Sequence, residues 1–229
     1  MNAATSAELS QAEWTHTCQQ RAGVYAWFST LYAAELPREM LNRYLAGEAA
    51  TLLASLSAIG MDSESQRLLA AVQSLSGIAF GHLELAADFA QAFLLDAKTG
   101  ALPYASCYDA GDSSFCGPSE QRMRELLTRS SLTLQEDFKE PADHLAIYLA
   151  ALAKFLEQTG GESPATQAVD QAAFLQDALM GWLPAFVDKC QKLSTQFDFY
   201  PALAALLLAF VRQDLAFLED MATQGAIKA

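Results

Sequence analysis

The sequence has few basic residues relative to acidic ones. Only 14 Lys and Arg stand against 27 Asp and Glu, which gives a formal net charge of −13 at pH 7. This charge repels nucleic-acid phosphates and anionic lipid head groups, so neither nucleic-acid binding nor direct membrane insertion is predicted. The same negative field would attract a basic peptide, although an acidic surface also simply keeps a protein soluble.

Closely spaced cysteine pairs and a secretory signal sequence are also missing. The chain has four scattered cysteines and no Cys-x-x-Cys pair, at Cys18, Cys107, Cys116 and Cys190. This usage is typical of unpaired thiols in a reducing compartment. The first 20 residues contain no Lys or Arg and no apolar run of the secretory type. The most apolar stretch, residues 200–211, is shorter than the roughly 20 residues that a bilayer span requires. We therefore predict a cytoplasmic protein.

Motifs of the common enzyme classes are absent as well. The sequence has no Gly-x-x-x-x-Gly-Lys, Gly-x-Gly-x-x-Gly, Gly-x-Ser-x-Gly or His-Glu-x-x-His pattern. It has only three histidines, and His16 stands two positions from Cys18, so on a helix these two side chains would point to different faces. We predict no enzymatic activity, no metal site and no resident cofactor.

Apolar residues do recur every three or four positions, which is the period of a helix buried along one face. The first such stripe comprises Trp14, Cys18, Ala22, Tyr25, Phe28 and Tyr32. Similar patterns are separated by Gly or Pro and begin near Pro37, Ser63, Pro118, Pro141, Pro164 and Phe199. No segment alternates as a strand would. The sequence predicts an all-α fold of about eight helices.

One long loop and one hinge are predicted within this fold. Residues 96–118 are rich in helix breakers and form the loop. The polar stretch 132–139 is predicted as a hinge between an N-terminal lobe, 1–131, and a C-terminal lobe, 140–229. A hinge there would permit a domain-swapped homodimer, whereas the alternative is an ordinary interhelical loop. Near the chain end, Asp214, Glu219 and Asp220 are expected at the surface.

Two small groups of residues are candidates for binding. Asp143 and His144 are adjacent at the predicted start of a helix, where they could cap the helix, bind a ligand or act as a base. We rank these three roles in that order. Tyr104 and Tyr108 lie in the predicted loop, where tyrosine either attaches the loop to the core or offers contact area to a partner.

Four signatures occur in sequence order. They are Asp88-Phe89 with Phe93, then Pro103-Tyr104-Ala105-Ser106-Cys107-Tyr108, then Glu140-Pro141-Ala142-Asp143-His144, and finally Trp182-Leu183-Pro184-Ala185-Phe186 followed by Phe199-Tyr200 and the apolar run 206–210. With them the chain resembles the TorD/DmsD family of maturation chaperones for molybdenum-cofactor reductases, and most of all the branch that serves trimethylamine-N-oxide reductase. Tyr148 departs from the pattern, because many relatives have an acidic residue there. Any role that the acidic residue has in those relatives is therefore not assigned to Tyr148. Before about residue 88 only the helical pattern matches.

The resemblance implies a chaperone that binds an apo-molybdoreductase and its twin-arginine signal peptide, assists cofactor insertion and prevents premature export. The residues implied to line one recognition face are Asp88, Phe89, Phe93, Tyr104, Ser106, Tyr108, Pro141, Asp143 and His144. Aromatic side chains would hold the apolar part of the signal, and Asp88 and Asp143 would face its arginines. The alternative is that these residues hold the loop and lobes together. Weak GTP binding and a purely structural, dimerising adaptor are the other functions left open.

Overall fold

The structure is a computed structural model that describes residues 9–109, 117–129, 139–158 and 161–226, with side chains to residue 223. Within these ranges all regular structure is helical, apart from one isolated bridge between Tyr104 and His144, so the predicted all-α class is confirmed. Residues 110–116 of the predicted loop, which include Cys116, lie outside the described ranges. So do residues 132–138 of the predicted hinge, and the division into two lobes stays a prediction.

The described part of the chain contains ten α-helical segments. They are α1 Gln11–Ala33, α2 Arg38–Leu45, α3 Glu48–Leu56, α4 Asp62–Ser74, α5 Gly81–Phe93, α6 Pro118–Arg129, α7 Leu145–Glu157, α8 Pro164–Phe174, α9 Leu183–Cys190 and α10 Phe199–Ala226. Wider π-type turns at Ser57–Met61 and Leu175–Met180 join α3 to α4 and α8 to α9, and a 3-10 turn spans Ala105–Tyr108. Gly47 divides α2 from α3, because its φ of +99° is a left-handed conformation that glycine adopts readily.

Local sequence signals fix several helix ends. Ser10 and Glu13 form a capping box at the start of α1. The predicted starts at Pro118 and Pro164 are confirmed, and the Ser163 side chain caps α8 by accepting from the Thr166 N–H. The predicted start near Pro141 is wrong, because α7 begins four residues later, at Leu145.

A single apolar core draws on both halves of the chain. Every residue of the predicted α1 stripe is buried, and α1 packs along α7. Helix α10 packs against α4, α8 and α9, and its Phe210 ring lies 5.0 Å from Tyr25 and 6.2 Å from Phe28, measured between ring centroids. Burial of these large side chains along the predicted stripes is the main source of stability.

A buried ion pair crosses this core between α1 and α10. The Arg21 guanidinium donates through Nε and Nη2 to the Asp214 carboxylate, and through Nη1 to the Gln171 side-chain oxygen at 2.6 Å. The Tyr25 hydroxyl donates to the same carboxylate at 2.6 Å. Burial acts to lower the pKa of Arg21, but the charge and the hydrogen bond of Asp214, with smaller contributions from Tyr25 and Cys18, together outweigh burial and raise that pKa above its usual value.

The ion pair corrects one expectation about α10. Asp214 is only 5% exposed, so the prediction that it lies at the surface is wrong, whereas Glu219 and Asp220 are exposed as predicted. The reason is the counter-charge that Arg21 supplies inside the core.

Helix α10 is also longer than the apolar stretch, residues 200–211, from which it was predicted. Its segment Phe199–Thr223 is long and apolar enough to cross a membrane by length and composition alone, and 61% of its most apolar window is buried inside the protein. Helix α2 and the α3–α4 segment meet the same criterion only when they are counted together as one span, and the two are bent by 65° relative to each other. The burial of α10 is that of a central core helix.

Candidate functional site

Two of the four sequence signatures meet directly. The backbone of residues 103–105 pairs with that of residues 143–145: the Ala105 N–H donates to the Asp143 carbonyl at 3.0 Å, and the Leu145 N–H donates to the Pro103 carbonyl at 2.7 Å. The loop that carries the tyrosines is therefore fixed to the beginning of α7 by main-chain hydrogen bonds.

Asp143 strengthens this junction from inside. Its side chain is fully buried, and one carboxylate oxygen accepts from the Ser106 N–H at 2.8 Å. The other oxygen, Oδ1, and the Ser106 hydroxyl find no hydrogen-bond partner among the described residues. Asp143 thus fixes the 3-10 turn, and a direct contact with an arginine of a bound peptide stays a prediction.

His144 is the N-cap of α7. Its Nδ1 accepts from the Ala146 N–H at 3.1 Å, so the role we ranked first for it, helix capping, is confirmed. Burial lowers the pKa of His144 to about 4, although Glu140 and Asp143 act in the opposite direction. The imidazole is therefore neutral at pH 7, which is the form that can accept a hydrogen bond at Nδ1.

Tyr104 contacts the same junction through both its ring and its hydroxyl. Its ring lies edge-on to His144, with 5.0 Å between the ring centroids, and its hydroxyl donates to Glu140 at 2.6 Å. Burial, followed by the hydrogen bond to Glu140, raises the pKa of Tyr104 above its ordinary value. Pro141, which is half-buried, lies in the turn between these partners, and its carbonyl accepts from the His144 N–H.

The first signature occupies a different place. Asp88 on α5 is buried, and its two carboxylate oxygens accept from the backbone N–H groups of Gln196 and Phe197, both at 2.8 Å. This attaches α5 to the segment before α10. Phe89 and Phe93 are core residues whose rings lie 5.5 and 5.2 Å from Tyr200. The structure therefore does not bring Asp88 to the junction at residues 103–108, and its predicted contact with an arginine also stays a prediction.

A groove in the described part of the chain lies between α6, α7 and the α8–α9 pair. It encloses about 710 Å³ and is lined by Tyr108, Asp109, Ser119, Arg122, Met123, Glu125, Leu126, Arg129, Tyr148, Ala151, Phe155, Asp170, Ala173, Phe174, Asp177, Ala178, Gly181 and Trp182. Of the predicted site residues, all of which the structure describes, Tyr108 alone lines it.

Aromatic rings form the floor of this groove. The Trp182 ring stacks on Tyr108 at 5.8 Å and lies 5.7 Å from Tyr148, and Phe155 lies 6.1 Å from Phe174, again between centroids. The polar atoms of the first two rings are satisfied internally, because Trp182 Nε1 donates to the Ala178 carbonyl and the Tyr108 hydroxyl donates to the Leu102 carbonyl. The floor accordingly presents apolar ring surface.

Acidic side chains line the α8 edge of the groove. Asp170 and Asp177 are exposed and take part in no ion pair with the described residues. Asp109, by contrast, is engaged by the Ser119 hydroxyl at 2.5 Å and by Arg122 at 3.3 Å. Sequence reasoning missed Asp170 and Asp177, although their spacing around Phe174 places the three on one helical face and could have indicated them.

The described residues include no group of three or more His, Cys, Asp or Glu that could hold a metal ion. The two thiols at Cys18 and Cys190 are buried, and burial raises the pKa of each. The groove between α6, α7 and the α8–α9 pair itself combines an apolar floor with an acidic edge.

Comparison with known proteins finds relatives that match nearly the whole chain. The nitrate reductase delta subunit family matches residues 58–188. The chaperone protein TorD of Psychrobacter sp. (strain PRwf-1) is 39% identical over 214 residues, which is 92% of this chain and 96% of the relative. The protein of that name from Vibrio cholerae serotype O1 (strain M66-2) is 38% identical over 213 residues, 89% of this chain and 94% of the relative. The chaperone protein TorD of Actinobacillus pleuropneumoniae serotype 7 (strain AP76) is 37% identical over 199 residues, which is 86% of this chain and 96% of the relative.

Proposed function

The chain belongs to the TorD family of molybdoenzyme maturation chaperones, whose named members are chaperones rather than enzymes, and from that premise we propose that it binds the twin-arginine signal peptide of its client in the groove between α6, α7 and α8–α9. We further propose that the client is an apo-molybdoreductase, trimethylamine-N-oxide reductase in the first instance. The bound chaperone would assist cofactor insertion and delay export, and it would do so in the cytoplasm.

The observation that carries this proposal is the combination of an aromatic floor with two carboxylates at one edge that make no ion pair with any described residue. A twin-arginine signal peptide has two arginines followed by an apolar region. The apolar side chains would contact Tyr148, Phe174 and Trp182, and the arginines would lie beside Asp170 and Asp177. Burying three or four apolar side chains contributes about 1.5–3 kcal/mol each before ordering costs are subtracted. A moderate net affinity suits a partner that must later be released.

The predicted residues at the 103–108 junction support the groove indirectly. Asp143 and His144 hold the loop that carries Tyr108, and Tyr108 stacks on Trp182 in the groove floor. We infer that they are positioning residues, whose substitution would alter binding by displacing Tyr108. Weak GTP binding and domain-swapped dimerisation stay predictions.

The proposal is tested by fluorescence anisotropy with a labelled synthetic twin-arginine signal peptide. Because each partly exposed ion pair contributes up to about 1 kcal/mol, Asp170→Asn with Asp177→Asn should weaken binding about five- to thirtyfold at low salt. The loss should shrink as salt is added. Asp220→Asn, an exposed acid on α10 outside the groove lining, is the matched control and should bind as the unaltered chain does.

A peptide whose two arginines are replaced by glutamine completes a double-mutant cycle. It should bind the Asp170→Asn/Asp177→Asn chain no less tightly than it binds the unaltered chain. If the two substitutions weaken both peptides equally, or if Asp220→Asn causes the same loss, the carboxylates do not recognise the arginines and the proposed site is wrong.

A further inference from the structure

A second apolar surface lies at the beginning of α5. A recess of about 410 Å³ opens between α2, the turn at residues 75–80 and the first turn of α5. Four large apolar side chains are exposed at or beside it, namely Leu45, Ile78, Phe80 and Leu83. Phe80 is 69% exposed and Leu83 is 57% exposed. We call the recess and these four side chains the Phe80 surface, and exposed apolar clusters of this kind are typical of interaction sites.

The backbone of Phe80 is strained as well as exposed. Its φ is +63° and its ψ is +27°, and among the described residues it is the one non-glycine residue with a positive φ. Glycine or asparagine adopts this left-handed conformation at lower cost, so the start of α5 does not require phenylalanine. Strain of this kind is concentrated at functional sites, and a ring that is strained and mostly exposed gains little from the core.

The charges of the recess differ from those of the chain as a whole. Its lining includes Arg38 and His82 but none of the acidic residues, although the chain has 27 acidic and 14 basic residues. Arg38 makes no ion pair with any described residue. The Arg38 guanidinium in the lining disfavours the arginines of a signal peptide and favours a carboxylate.

We propose that the Phe80 surface binds an acidic, amphipathic segment of the mature part of the client reductase. This inference rests on the proposed function for the identity of the partner, and on the recess for its chemistry. An apolar side chain of the segment would enter between Leu41 and Leu75, a carboxylate would lie beside Arg38, and Phe80 would cover the contact. The recess shares no lining residue with the groove, so the two client segments can be bound together.

The test uses the whole chaperone and purified apo-reductase without its signal peptide, with affinity measured by biolayer interferometry. Phe80→Asn should weaken binding of the reductase about tenfold or more, because a large apolar contact is lost. Arg38→Glu should weaken it about threefold or more at low salt and less at high salt. Leu95→Gln, an exposed apolar side chain outside the Phe80 surface, is the control and should have no effect.

Two further measurements make the result decisive. The melting temperature of Phe80→Asn should not fall, because asparagine tolerates the left-handed conformation. The signal peptide should bind Phe80→Asn and Arg38→Glu as tightly as it binds the unaltered chain.

The inference is overturned if the reductase binds both variants normally, if it does not bind the unaltered chain, or if light scattering shows that Phe80→Asn instead converts a dimer to a monomer. Reductase binding that depends on Phe80, without any signal-peptide binding, would support this inference and contradict the proposed groove.

Discussion

Acidification from pH 7 to pH 5 should loosen the junction between the tyrosine loop and α7, because that junction uses an uncharged histidine. His144 Nδ1 accepts the Ala146 N–H, and a protonated Nδ1 can only donate. Burial lowers the pKa of His144 to about 4, so the folded chain resists protonation over a range in which the unfolded chain does not.

The magnitude follows from the two pKa values. The unfolded imidazole has a pKa of about 6.5, so between pH 6.5 and pH 4 the unfolded chain binds the extra proton. The stabilisation is therefore fully present above pH 6.5 and is lost as the pH falls toward 4. With these values, the His144 contribution at pH 5 is lower by about 2 kcal/mol than at pH 7. For a chain of this size that corresponds to a fall of about 4–8 °C in melting temperature.

Urea unfolding at pH 7 and pH 5, followed by circular dichroism, measures this effect. His144→Asn keeps a side chain that can cap α7 but does not titrate. Relative to the unaltered chain, the variant should gain about 2 kcal/mol in free energy of unfolding on going from pH 7 to pH 5. His16→Asn, at an exposed position of α1, controls for the replacement of a histidine. If the unaltered chain and His144→Asn lose stability in parallel, the reasoning about His144 is refuted.

Three further substitutions test other parts of the structure by urea unfolding. Asp214→Ala leaves Arg21 buried without its counter-charge and should cost about 3–5 kcal/mol, much of which Arg21→Met with Asp214→Leu should restore. A loss below about 1 kcal/mol would mean that the pair is solvated. Asp88→Ala leaves two backbone N–H groups unsatisfied and should cost about 1–3 kcal/mol for each, with signal-peptide affinity retained wherever the variant is folded. A specific loss of affinity at unchanged stability would instead place Asp88 in the binding site. Gly100→Ala would bring a Cβ within 2.9 Å of the Ala92 carbonyl oxygen and should cost about 1–3 kcal/mol, whereas an unchanged free energy would show that the turn adapts.

The helices were predictable where a local pattern is sufficient. The apolar stripe of α1 and the starts at Pro118 and Ser163-Pro164 follow from periodicity, fixed φ and side-chain capping, which involve neighbours within one turn. The start of α7 was misplaced because Pro141 fits a first helical turn by itself, while the pairing of residue 145 with residue 103 holds residues 141–144 outside the helix. That pairing depends on a partner about forty positions away.

The candidate site was only partly predictable. The sequence singled out Asp143 with His144 and the loop tyrosines as two groups, which the structure shows in contact, but it left open whether they cap, support or bind. The structure brings them together where the loop meets the start of α7, with Tyr108 in the groove lining. It brings the acidic edge of the groove from α8 and the turn that follows it, where the spacing of Asp170 and Asp177 around Phe174 was their signal in the sequence.

The sequence by itself determined the helical class and the buried face of α1, because periodicity and capping are local properties of the chain. With its signatures it also indicated the chaperone family. Only the tertiary structure decided that Asp214 is buried against Arg21, that Asp88 is bonded to backbone before α10, and that the aromatic floor meets an acidic edge. Those outcomes depend on contacts between residues far apart in sequence, where burial and pairing, rather than residue type, set what a side chain does.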